Sequence, residues 1–251
     1  MLWFKFWLDT RWRFLIGLTV LMCSAAAMVF TYPSVRELLP LAAPIDVGGE
    51  LGRRIREAME VSREYRGYVW SQGFGENLAQ LGTLFAVLLG TGGLVSGGAT
   101  LFTLSLPVSR RRLLGTRVGA GLGEWLVLAL VPSLLIPLLA PAIGESYSVV
   151  AALVHGLCLF VVGTVFFSLA ILLSTVFGDV WRPLLITLSV AVGIAGLEAF
   201  ADLSRFGVYS VMSGDTYFRT GALPWAGLFV SAAASAALLY AASATIANRD
   251  F

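Results

Sequence analysis

Leu104-Ser-Leu-Pro-Val-Ser-Arg110-Arg-Arg-Leu-Leu-Gly-Thr-Arg117 separates two apolar blocks, Leu78–Phe102 before it and Val118–Leu139 after it. Carrying Arg110, Arg111 and Arg112 into hydrocarbon would cost roughly 2.5–3.5 kcal/mol each, even on a lenient insertion scale. The segment therefore belongs at a membrane surface. Pro107 near the start and paired leucines after the arginines predict a short amphipathic helix over 103–117. Such a helix either anchors to anionic headgroups or docks onto a soluble partner.

Composition agrees with that reading. Hydrophobic residues make up 58% of the 251 and charged residues 13%, and the mean hydropathy is +0.85. These values place the chain among multi-spanning membrane proteins. The net charge of +2 gives no reason to expect nucleic acid. A crossing takes about 20 mostly apolar residues, and six stretches qualify: 14–32, 78–101, 118–139, 149–177, 184–200 and 223–247. The predicted fold is an all-α, six-span bundle forming a single membrane domain.

Residues 1–13, with Phe4, Lys5, Trp7, Arg11, Trp12 and Arg13, interleave aromatics with charge and predict an interfacial helix ahead of the first span. No small-residue cleavage pattern precedes Thr31-Tyr32-Pro33, so this segment reads as retained. Residues 33–77 form the expected long loop, with an amphipathic surface helix over Glu50–Tyr65. Setting aside the six basic residues of that loop, nine of the rest fall on the N-terminal side and two, Arg205 and Arg219, on the other. That imbalance predicts both termini in the cytoplasm of a plasma-membrane protein.

Catalytic chemistry is sparse. Lys5 is the only lysine and has no glycine-rich loop beside it, so no G-x-x-x-x-G-K-[ST] phosphate cradle exists. Any ATPase that powers this chain must be another polypeptide. Cys23 and Cys158 sit in apolar stretches and read as small buried hydrophobes, and no metal-ligand set is expected. His155 reads as a hydrogen-bond donor between helices. Ser96, in Val95-Ser96-Gly97-Gly98, and His155 weakly resemble the pair of six-span intramembrane serine proteases. Leu94 stands where that motif needs its first glycine. Glu124 is the carboxylate at membrane depth, and either carries function or reaches the interface beside Arg117. A secondary transporter or channel would need polar residues along a pathway, and the spans offer chiefly Glu124 and His155. Small-residue clusters at Gly90–Gly98 and Gly115–Gly123 permit close helix packing, subunit contact or a passage.

The order of amphipathic N-terminus, span, loop, span and Leu-Pro-Val-Ser-Arg run resembles the permease subunit of ABC-2 type ATP-binding cassette transporters. The likeness covers the layout of the whole chain, but its residue-level match is confined to Leu104–Arg117. It implies that Leu104, Pro107, Val108, Ser109, Arg110, Arg111, Arg112, Leu113 and Leu114 form a cytoplasmic coupling helix docked on an ATPase subunit. It further implies an N-terminal elbow helix, a second permease copy or paralogue, and two ATPase copies. ATP and Mg would be bound by those partners, this chain would hold no cofactor, and the usual direction is export. The family also folds part of the segment between spans five and six back into the membrane, here within Ala201–Ala222.

Overall fold

The computed structural model describes residues 2–42, 52, 59–92, 110–200 and 207–247, and every element assigned among them is helical. In chain order these are α1 (Leu2–Ala42), α2 (Tyr65–Tyr68), a π-helix (Val69–Asn77), α3 (Leu78–Gly90) and α4 (Arg110–Leu139). A 3-10 turn (Ala140–Ile143) leads to α5 (Val149–Val176), followed by α6 (Trp181–Phe200), α7 (Val208–Ser213), α8 (Asp215–Thr220) and α9 (Trp225–Ala247). Five helices are long and apolar enough to cross a membrane: Phe6–Leu38, Arg112–Ile143, Val149–Val176, Trp181–Ala199 and Trp225–Ala247.

Three sequence expectations are corrected. The N-terminal helix does not end near Arg13 and the first span does not stop at Tyr32, because α1 is one helix of 41 residues. It runs through Pro33, with buried Tyr32 packed against Tyr65 and Tyr68 at ring separations of 4.9 and 5.1 Å. Residues 110–117 are not a separate surface helix either; they are the first two turns of α4. Finally, the second apolar helix ends at Gly90, and Thr91 is extended with ψ 148°. That helix begins earlier, because α2, the π-helix and α3 follow one another without a break in helical residues from Tyr65 to Gly90.

α5 is the hub, packing against α3, α4, α6, α7 and α9. Of its most apolar window 56% is buried, against 33% for α1 and α4 and 17% for α6 and α9. α3 approaches α5 so closely at Gly90 that an added Cβ would lie 2.6 Å from the Phe167 carbonyl oxygen. α1 and α4 run the same way, since Trp3 lies on Gly119 at one end and Arg36 pairs with Glu145 at the other. α3 and α5 run opposite to them, with Phe85 against Gly17 and Phe167 against Gly121.

Hydroxyls inside the helices bond back to their own turns. Thr83 donates to Ala79, Ser133 to Ala129, Thr164 to Phe160 and Ser174 to Ala170, each at 2.7 Å. Trp125 Nε1 donates to the Phe160 carbonyl at 3.0 Å. A hydrocarbon solvent requires this internal satisfaction of polar groups. Large apolar side chains such as Leu138, Val192, Phe229 and Val230 face outward, as lipid contact allows.

Candidate functional site

Polar contacts gather at two levels of the bundle. At the level of Arg13, three helices are tied together. Arg13 Nη1 donates to the carbonyls of Leu88 (3.1 Å) and Thr91 (2.6 Å). Buried Arg117 Nη2 donates to the Gly90 carbonyl at 3.3 Å. The last carbonyls of a helix have no intrahelical donor and carry the negative end of its dipole. Two guanidiniums, one from α1 and one from α4, therefore cap the C-terminus of α3.

Two turns of α4 beyond Arg117, the chain presents Glu124. Thr10 Oγ1 donates to its Oε1 at 2.5 Å, while Oε2 has no hydrogen-bond partner among the described residues. Beside it, Trp3, Phe4 and Trp7 of α1 face Gly119 and Gly123 of α4 across a groove of about 400 Å³.

The second level lies around Tyr32. Nineteen residues of α1 separate it from Arg13, about 28 Å at ~1.5 Å per residue, close to the ~30 Å thickness of bilayer hydrocarbon. Here α7 and α8 fold into the bundle. Glu198 of α6 caps the start of α7 by accepting from the Val208 and Tyr209 amides at 2.5 and 3.1 Å. His155 Nδ1 lies 2.7 Å from the Ser213 carbonyl oxygen, so Nδ1 carries the proton and donates. The His155 ring stacks on Phe74 of the π-helix at 4.6 Å. Gly214, with φ +71°, makes the α7–α8 corner, and a Cβ there would come 2.7 Å from His155 Nδ1. Trp70 stacks on Phe218 at 4.4 Å, with Arg66 over Phe218 and Arg219 over Trp70. Burial raises the Tyr147 phenol well above its usual range.

The predicted residues divide accordingly. Leu104, Pro107, Val108, Ser109 and Ser96 lie outside the described residues, as do the side chains of Lys5, Arg110 and Arg111. Arg112 is exposed at the start of α4, whereas Leu113 and Leu114 are buried inside the bundle. Among the N-terminal residues, Phe4, Arg11 and Trp12 are exposed, with Arg11 over the Trp12 ring at 5.6 Å, while Arg13 turns inward. Glu124 and His155 sit at different levels and do not converge. The capping role of Arg117 and the contributions of Thr10, Phe74 and Glu198 were not anticipated. Among the described residues no group of three metal-ligating side chains occurs.

No family model, curated protein or solved structure matches this chain. Its functional reading rests on the residues and their geometry.

Proposed function

We propose that this chain is the membrane-spanning subunit of an ATP-driven exporter of the ABC-2 type. Residues 104–112 would dock on a separate cytoplasmic ATPase, with Leu113 and Leu114 buried in the bundle behind them, and two permease copies would work with two ATPase copies. The observation that carries the reading is the Leu-Pro-Val-Ser-Arg-Arg-Arg run leading into α4, in a chain whose single lysine leaves no phosphate-binding loop of its own. The geometry at Arg13 supports it. The start of α4, the N-terminal part of α1 and the end of α3 are joined by charged hydrogen bonds, so a push on residues 110–112 reaches three helices at once. On this reading the Tyr65–Gly90 run is the sixth crossing, both termini are cytoplasmic, and α7–α8 is the re-entrant element of the outer half.

The test is purification of the full chain from its native membrane, with its associated ATPase. Wild type should recover nucleotide hydrolysis. The triple change Arg110→Glu, Arg111→Glu and Arg112→Glu should insert normally and lose most of that activity and partner. Unaltered ATP turnover and partner recovery in the triple variant would remove the coupling role. A proton-coupled carrier is the competing reading. It gains ground only if the chain alone transports down a proton gradient and Glu124→Gln stops it.

A further inference from the structure

The groove between the first turns of α1 and α4 combines three features that lipid-facing helix packing does not require together. Glu124 is only 6% exposed, yet its Oε2 has no partner among the described residues. Leaving such an acceptor unfilled in a dry site costs more than a typical hydrogen bond returns. The opposite wall consists of Trp3, Phe4 and Trp7, which keep 59%, 67% and 39% of their surface exposed. The floor is glycine: Trp3 rests on Gly119, whereas a Cβ at Gly123 would meet nothing within 4 Å. The groove of about 400 Å³ is thus open and unfilled over Gly123.

We propose that this groove binds a primary ammonium carried on an apolar chain. Thr10 already donates to Oε1, which leaves Oε2, shielded from solvent in the groove wall, as the acceptor that calls for a donor once the carboxylate turns toward the groove. Indole faces attract a cation rather than a neutral hydroxyl. Among the residues lining the groove, Glu124 is the charged one. An ammonium placed against Oε2 satisfies the carboxylate, and the attached chain lies along the exposed tryptophans. The level fits an amphiphile, because Thr10, the partner of Glu124, lies within one turn of Arg13 on α1, so the carboxylate sits beside the charged layer at this end of the bundle. A lipid ethanolamine headgroup and a free alkylamine share this chemistry.

The proposal does not depend on the transporter reading. Full-length protein in phosphatidylcholine nanodiscs is titrated with radiolabelled dodecylamine, with dodecanol as the neutral control and empty discs as the partitioning blank. Dodecylamine should bind saturably and dodecanol should not. Glu124→Gln keeps the size and the Thr10 bond, and should weaken dodecylamine binding about tenfold or more. Gly123→Leu fills the groove from an unobstructed position and should weaken binding as much while leaving Glu124 in place. It decides the question if the Gln variant fails to fold. Adding phosphatidylethanolamine to the discs separates the sources: competition identifies a lipid headgroup, and no competition a free amine. Equal binding by wild type and Gly123→Leu, or dodecanol binding as tightly as dodecylamine, overturns the site.

Discussion

Replacing Arg13 with methionine should be among the most damaging single changes at its end of the bundle, and far worse than the same change at Arg117. Among the described residues Arg13 donates to two carbonyls, at 3.1 and 2.6 Å, whereas buried Arg117 reaches one, at 3.3 Å. A hydrogen bond from a charged donor contributes roughly 1.5–3 kcal/mol, and orphaning a buried carbonyl costs a similar amount. Methionine keeps the length and the apolar stem but caps neither carbonyl. The net loss for Arg13→Met is then roughly 3 kcal/mol. Arg117→Met loses one long bond but relieves the repulsion between two guanidiniums aimed at the same helix end, which leaves a cost of about 1 kcal/mol or less.

For a chain of this size those figures correspond to a fall in melting midpoint on the order of 5–10 °C for Arg13→Met and a few degrees at most for Arg117→Met. Thermal unfolding in detergent, followed by size exclusion of the surviving monodisperse fraction, measures both. The double variant should cost more than the two single changes combined, because the repulsion is relieved once, not twice, and neither arginine remains to serve the other's carbonyl. If Arg117→Met destabilises as much as Arg13→Met, or the double variant is strictly additive, the shared-cap account is wrong.

Further outcomes follow from individual contacts. Gly90→Val should destabilise strongly, since its first added carbon would sit 2.6 Å from a backbone oxygen of α5; a small change in thermal stability would contradict the close packing. Glu198→Ala should lower stability by about 1–2 kcal/mol through loss of the α7 cap and make residues 207–220 more open to limited proteolysis, an effect absent if α7 is held by packing alone. His155→Leu should likewise loosen α7–α8, because it removes the bond to Ser213, whereas His155→Phe preserves the ring stacking on Phe74 and should be intermediate. On the proposed topology, a cysteine at Ser62 reacts with a membrane-impermeant thiol reagent in intact cells and one at Ser109 does not; the opposite pattern inverts the orientation.

How far the sequence carried depended on local periodicity. α5 was expected over 149–177 and forms over Val149–Val176; α9 was expected over 223–247 and forms over Trp225–Ala247. Both are long apolar runs with Ser148 or Pro224 at their start, signals that a single segment contains. The helix from Tyr65 to Gly90 was displaced because nine of its residues are a π-helix. Across it Val69, Gly73 and Phe74 are buried, followed by Leu78 and Ala79 just beyond its end, a repeat of four to five residues that a search at 3.6 passes over. Ser71, Gln72, Glu76 and Asn77 made the same stretch read as loop. α1 was cut short at Pro33 for the opposite reason: a valid local breaker was outweighed by tertiary packing around Tyr32. Glu198, Thr10 and Arg117 take their partners from other helices, so nothing beside them in the chain announced their roles.

The placement of polarity constrains how such a bundle can move. Between the Arg13 and Tyr32 levels Thr83, Ser133 and Thr164 donate within their own helices, and apart from the Trp125–Phe160 bond the contacts described among α3, α4 and α5 are ones of shape, as where Gly82 meets Trp125 and Leu159 and Gly163 the Trp125 ring. Directional bonds that cross between helices concentrate at the two ends. Shape-packed apolar surfaces slide at small cost in lipid, whereas a charged cap must break before its helices separate. The start of α4, the start of α1 and the end of α3 should therefore shift as one block, pivoting on α5, while α7–α8 moves with α6 through Glu198. Under the proposed function, a partner pressing on residues 110–112 would drive that block directly. The groove beside Glu124 lies inside the block, between two helices that the Thr10 contact holds together, so its shape should persist through the movement.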